Sequence, residues 1–277
     1  FEEGANSDYN KEYALDQVRL FRFLLDTQEQ KIKQLRVLES DIEKKKFLDR
    51  LSKKISDNGV ITIIRNGFKY KNLKLDLYMV RPSEGNDAAK EDYDKNIFSV
   101  TRQLRYSENN GKLALDLCLF LNGLPIITIE LKNQYTKQNY RDAIKQYKTD
   151  RSQGDLLFSF KRCVVHFAVD DNEVHMCTHI CGDKSCFLPF NIGNNNGAGN
   201  PPNPDGIKTD YLWKEIFTKD VLANILENYV QIVEEKGEDT GKKKYKQIFP
   251  RYHQLHVVTS LLADAVRDGV GHTYLVQ

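Results

Sequence analysis

The chain has 277 residues, 40% apolar and 29% charged, a balance that fits a globular protein with a substantial core and excludes a disordered or fibrous chain. No apolar run reaches membrane-spanning length. The net charge of +2 is too small to name a partner, the opening Phe1-Glu2-Glu3-Gly4 carries no signal segment, and the five unevenly spread cysteines read as reduced cytoplasmic thiols.

Residues 11–55 show helical spacing, with Leu15, Val18, Phe21 and Leu25 on one stripe and Leu35, Leu38 and Ile42 continuing it after a polar gap. Asn58-Gly59 breaks the pattern. The run Val60-Ile61-Thr62-Ile63-Ile64 reads as a strand, Asn66-Gly67 as a turn, and the alternating Leu73, Leu75, Leu77 and Met79 as a second strand. Arg81 to Asp87 is a loop, and Ile97 to Tyr106 is again extended. Asn191 to Gly206, rich in Asn, Gly and Pro, excludes a helix or inner strand and marks a boundary. A helix around Tyr211–Val233, a Lys/Gly-rich turn, an amphipathic helix around Tyr252–Arg267 and an apolar strand start at Tyr274-Leu275-Val276 complete the chain, which reads as a fragment of something longer. The expected division is a helical region 1–56, a core 57–190, a loop 191–210 and a segment 211–277.

Leu113 to Lys132 carries the chemistry. Leu113, Leu115, Leu117, Leu119 and Leu121 occupy every second position, with Ala114, Asp116, Cys118 and Phe120 opposite. After Asn122-Gly123, Pro125, Ile127, Ile129 and Leu131 fall on one face, and Leu124, Ile126, Thr128, Glu130 and Lys132 on the other. A two-residue Asn-Gly turn puts the leucine face on the side of Glu130 and points Asp116 away. A three-residue loop, Leu121-Asn122-Gly123, puts the five leucines on one buried face with Ile127, Ile129 and Leu131 and gathers Asp116, Glu130 and Lys132 on the other. Hydrophobic matching selects the three-residue loop.

Two carboxylates on one sheet surface can hold Mg²⁺, which takes a few oxygens and keeps several waters. Such an ion polarises a phosphate and lowers the pKa of a bound water. Lys132 could orient that water or neutralise charge developing on the phosphate. The bland alternative is the polar face of a half-exposed hairpin, against which stands the cost of burying Asp116 among apolar neighbours unless it is paired or metal-bound. The stretch from Lys132 to Arg151 is also basic, with Lys132, Lys137, Arg141, Lys145, Lys148 and Arg151 against Asp142 and Asp150. Lys44–Lys46 and Lys242–Lys244 read as solvated spots.

Asn96-Ile97-Phe98-Ser99-Val100-Thr101-Arg102-Gln103, Leu115-Asp116-Leu117, Asn122-Gly123-Leu124-Pro125 and Ile129-Glu130-Leu131-Lys132-Asn133 together resemble the N-terminal nuclease region of type I restriction enzyme R subunits, of the PD-(D/E)xK superfamily. Ala143 to Tyr147, Lys161 to Phe167, Gly197 to Pro204 and Phe249 to Gln254 extend the resemblance over nearly the whole chain. It implies an α/β, restriction-endonuclease-like fold: a mixed central sheet flanked by helices, with an N-terminal helical region and a helical linker to a motor domain. It also implies Mg²⁺ held by Asp116, Glu130 and the Leu131 carbonyl, Lys132 as catalytic lysine, and Tyr147, Gln146, Arg141 and Lys145 as residues that contact DNA or support the site. Gln254 matches a glutamine expected near the adenine of ATP in the full-length motor, whose Gly-rich phosphate loop is expected shortly after Gln277; the fragment alone is not expected to hydrolyse ATP. Relatives carry Gln-x-x-x-Tyr on the helix after the hairpin; here the glutamine position is Ala143, with Gln146 beside Tyr147. An upstream acidic residue that sometimes completes such sites has no evident counterpart.

His175, Cys177, His179, Cys181 and Cys186 do not have the paired spacing of a zinc knuckle and read as a strand edge. His253 and His256 read as helix residues and Trp213 as packing. The expected function is Mg²⁺-dependent cleavage of double-stranded DNA, alongside methyltransferase and specificity subunits, in the cytoplasm of a bacterium or archaeon. The rivals are a repair or recombination nuclease and a catalytically silent DNA-binding or docking module.

Overall fold

The computed structural model describes residues 1–82, 85–236, 243–271 and 273–274. Strand β1 (Glu2–Gly4) is followed by a short hairpin, β2 (Tyr9–Asn10) and β3 (Leu15–Asp16). Helix α1 (Gln17–Leu35) then starts where the Asp16 carboxylate accepts from Arg19 N–H at 3.0 Å, an N-cap. It is interrupted at Gln28, whose buried amide bonds both the carbonyl and the N–H of Asp76. Helix α2 (Asp41–Asn58) is capped by Ser40.

The Val60–Ile64 run, expected as a strand, is helical: α3 spans Val60–Asn66. Short apolar runs do not distinguish strand from buried helix by periodicity. Here the surroundings decide, because Gly59, at φ +89°, turns the chain and Val60 N–H donates to the Lys161 carbonyl. Val60, Ile61, Ile63 and Ile64 are all buried. The second expected strand is shorter than its pattern: β4 (Phe68–Tyr70) and β5 (Leu73–Leu75) form a hairpin that ends before Leu77.

Helix α4 (Asp87–Asp94) leads into the central hairpins, β6 (Phe98–Leu104), β7 (Leu115–Leu121) and β8 (Leu124–Leu131). Helix α5 (Tyr140–Thr149) crosses over to β9 (Val165–Val169), which lies parallel to β8. β10 (Val174–Cys177) and β11 (Leu188–Pro189) complete a seven-stranded mixed sheet in the order β1-β6-β7-β8-β9-β10-β11. One face packs on the apolar residues of α1, α2 and α3; the other, carrying Cys118 and Phe120, packs on Ala143 and Tyr147 of α5. The fold is thus mixed α/β with a helix-flanked central sheet.

Residues 191–206 form no helix and only one isolated bridge. The helix expected over Tyr211–Val233 is broken: wide helical turns at Leu212–Ile216 and Ile225–Tyr229 flank α6 (Lys219–Asn224). The chain then becomes strand β12 (Gln231–Lys236), paired with β13 (Lys243–Ile248). The Lys/Gly-rich turn between them, and most of the expected strand at Tyr274–Val276, lie outside the described residues. Helix α7 (Tyr252–Asp268) matches its pattern and contains His253 and His256.

Candidate active site

The turn between β7 and β8 differs from the expectation in its mechanism and partly in its result: Asp116 and Glu130 still share a face, but Leu115 packs in the second core with Cys118 and Phe120, and Leu131 is exposed. Leu121 pairs with Leu124, so Asn122 and Gly123 form a two-residue turn, both with positive φ (+50° and +80°). Gly123 is required for a second reason: a Cβ there would sit 2.3 Å from the Asp16 carbonyl oxygen, at the start of α1. Asn122 is buried and ties the turn to the Ile97 N–H and the Leu77 carbonyl.

The register correction comes three residues later. Phe120 pairs with Pro125 but Leu119 pairs with Ile127, so Ile126 is an extra residue, a β-bulge. Leu124, Ile126, Ile127 and Ile129 therefore all reach the same core as Leu119 and Leu121, which strict alternation forbids. Beyond the bulge Leu117 pairs with Ile129, and that register continues to set Asp116 across from Glu130. The matching of apolar faces was the right constraint; a bulge meets it, not a longer turn.

Asp116 is half-buried. Its Oδ2 accepts from Leu131 N–H and its Oδ1 from Gln103 Nε2, each at 2.8 Å. Gln103 sits opposite in β6 with φ +48°, a left-handed conformation that interrupts the ladder between Arg102 and Leu104. Glu130, fully buried, is the costlier carboxylate of the pair. Its Oε1 receives Arg151 Nε at 2.7 Å and Nη2 at 2.5 Å, while its Oε2 has no hydrogen-bond partner among the described residues. Burial pushes Glu130 up to about 8, against the pull of the Arg151 guanidinium and with the push of the neighbouring Asp116 charge.

Lys132 extends past the end of β8, its N–H bonded to the Val169 carbonyl. Its Nζ donates to Gln146 Oε1 at 2.7 Å. Ala143, the position where the resembled pattern has its glutamine, is fully buried against the sheet. Helix α5 is held by a capping box between Asn139 and Asp142 and by Asp170, whose carboxylate accepts from Tyr140 N–H at 2.8 Å. Tyr147 is fully buried and supports the site from below: its hydroxyl is 2.9 Å from Thr128 Oγ1, which lies 2.6 Å from His166 Nδ1. Arg141 and Lys145 are exposed on the outer side of the helix.

Arg151, Gln103, Thr128 and His166 were not singled out from sequence as site residues. Arg151 was counted only as part of the basic stretch, yet its side chain is 1% exposed and faces inward. Its partners come from residues 45, 37 and 21 positions earlier, which no local pattern reveals. Gln254, assigned to nucleotide by resemblance, here accepts from Arg251 N–H and closes the first turn of α7. Among the described residues no three His, Cys, Asp or Glu side chains form a metal-binding group. Around the His/Cys cluster, His175 pairs with Glu173 and stacks on Tyr140, and Cys177 Sγ donates to the His179 carbonyl. No described helix is long and apolar enough to cross a membrane.

Residues 8–184 match the family model for the type I restriction enzyme R protein N terminus. The chain is 26% identical over 175 residues to a Methanocaldococcus jannaschii protein named "Putative type I restriction enzyme MjaVIIIP endonuclease subunit". That match covers 60% of this chain and 14% of the relative, so the chain spans a small part of its relative's length.

Proposed function

Because the chain belongs to the family of the type I restriction enzyme R protein N terminus, we propose that it cleaves double-stranded DNA in a Mg²⁺-dependent reaction, with a PD-(D/E)xK fold and with Asp116, Glu130 and Lys132 as its centre. The observation that carries the reading is the bulged hairpin: it sets the two carboxylates across from each other, with Glu130 Oε2 buried and without a hydrogen-bond partner among the described residues. Asp116, Glu130 Oε2 and the Leu131 carbonyl are all oxygen donors, the set a hard divalent cation prefers. Water and phosphate oxygens would complete the shell of such an ion.

Bound there, Mg²⁺ supplies a Lewis acid for the phosphate and a lowered pKa for a bound water. The residues of the chain supply position. Gln103 and the Leu131 N–H fix Asp116, and Gln146 fixes the direction of the Lys132 ammonium. A fixed cation at that point stabilises negative charge developing on the phosphate and orients the attacking water. Arg141 and Lys145, exposed on α5, contact the DNA backbone. In the full-length protein we place this domain beside an ATP-driven translocating motor, in a complex with methyltransferase and specificity subunits.

The test is plasmid cleavage by the full complex with ATP and Mg²⁺. Asp116→Ala and Lys132→Ala should each lower cleavage by roughly a hundredfold or more while ATP hydrolysis continues. Wild-type rates in both variants overturn the site; no cleavage by the wild-type complex favours a silent DNA-binding module.

A further inference from the structure

Arg151 has the fullest set of partners at the site and no part in the reaction just described. It follows α5 directly and turns inward. Nε and Nη2 both reach Glu130 Oε1, Nη1 donates to the Tyr106 hydroxyl at 2.9 Å, and Nη2 donates to the Ala114 carbonyl at 2.8 Å. The guanidinium also lies 5.2 Å from the Tyr106 ring centre, and that ring is held edge-on by Phe158 at 4.9 Å. An arginine that swings out to DNA has none of these restraints. This one is locked onto a single carboxylate oxygen by hydrogen bonds, a cation–π contact and burial.

Two consequences follow for Glu130. Its Oε1 is committed to the guanidinium, while Oε2 has no hydrogen-bond partner among the described residues and is open to a cation. When both carboxylates are ionised, Arg151 also reduces the summed charge of the three side chains from two negative to one. That reduces the attraction for a second divalent ion, which a two-metal site would hold about 4 Å from the first.

Resting on the reading of Asp116 and Glu130 as cation ligands, we propose that Arg151 is a positioning residue that makes Glu130 a one-oxygen ligand, so that the protein alone holds one divalent ion weakly and retains it firmly only when a DNA phosphate supplies further oxygens. The device keeps the nuclease unloaded until substrate is present. It acts through ligand count and charge, and needs no movement of the fold.

The experiment titrates Ca²⁺, an oxygen-seeking probe ion, into the full-length protein without DNA, by calorimetry and by the calcium-induced rise in melting temperature. Glu130→Gln sets the baseline for ions bound elsewhere. Above that baseline the wild type should bind one ion weakly. Arg151→Met should bind it roughly tenfold tighter or more, with a larger rise in melting temperature on adding calcium, although it melts lower in chelator. Arg151→Met combined with Glu130→Gln should lose the gain, which a merely structural role for Arg151 would not produce. Arg151→Gln, which keeps a hydrogen-bond donor without the charge, is read if the methionine variant does not fold. Unchanged or weaker calcium affinity in the Arg151 variants, or two ions above baseline in the wild type, overturns the proposal. Calcium binding by Glu130→Gln equal to that of wild type overturns the ligand assignment as well. Cleavage by Asp116→Ala tests the nuclease reading separately.

Discussion

At the scale of single residues, the site is organised by groups that hold other groups. The Lys132 ammonium donates to Gln146 Oε1, which sets its direction. Gln146→Ala should reduce cleavage by roughly tenfold with DNA affinity unchanged, measured as single-turnover rate against binding. An equal loss in both would make Gln146 a DNA contact instead. His166, beneath the site, is fully buried, and burial holds it down to about 3 from 6.5. Between those two values the unfolded chain binds a proton that the folded chain refuses. Stability is therefore complete above pH 6.5 and falls as the pH drops toward 3, by at most about 1.4 kcal/mol per pH unit from this group. His166→Asn should flatten that part of the profile, read as the urea midpoint at pH 7, 5 and 4. Parallel profiles for the two proteins would contradict it.

At the scale of elements, the β7–β8 hairpin shows how two small irregularities place the chemistry. The tight Asn122-Gly123 turn alone would leave Asp116 and Glu130 on opposite faces, and the extra residue Ile126 reverses that. The turn also has to fit under the N-terminus of α1, where Asp16 N–H donates to the Gly123 carbonyl at 2.9 Å. Gly123→Ala should destabilise the protein by roughly 2 kcal/mol or more, through its positive φ and the contact with Asp16. Chemical denaturation measures this; a loss below about 0.5 kcal/mol would show that the turn relaxes freely. Helix α5 is the second such element, with Ala143 and Tyr147 inward, Gln146 toward Lys132, and Arg141 and Lys145 outward.

At the scale of the molecule, the net charge of +2 hides an uneven surface. Of the six basic residues between Lys132 and Arg151, Arg151 is spent on Glu130 and Lys132 on Gln146, while Arg141 and Lys145 face solvent. Changing both Arg141 and Lys145 to Gln should weaken DNA binding for all sequences and reduce the salt slope of log K by about 2. A slope equal to wild type would place the DNA elsewhere. The mixed sheet unites segments remote in sequence, with β1 at one edge lying parallel to β6 and β9 reached by crossover through α5.

The amino-acid sequence by itself determined the hairpin and the placing of Asp116 and Glu130 on one face, because strand alternation and the cost of exposing Leu and Ile act over neighbouring residues. It likewise carried the family, through motifs spread along the chain. Tertiary structure alone decided that Val60–Ile64 is helical, that a bulge and not a longer turn sets the register, and that the helix after Tyr211 yields to a strand at Gln231. It alone put Arg151 on Glu130, since a buried charge takes whichever opposite charge the packed chain brings to it, however distant in sequence.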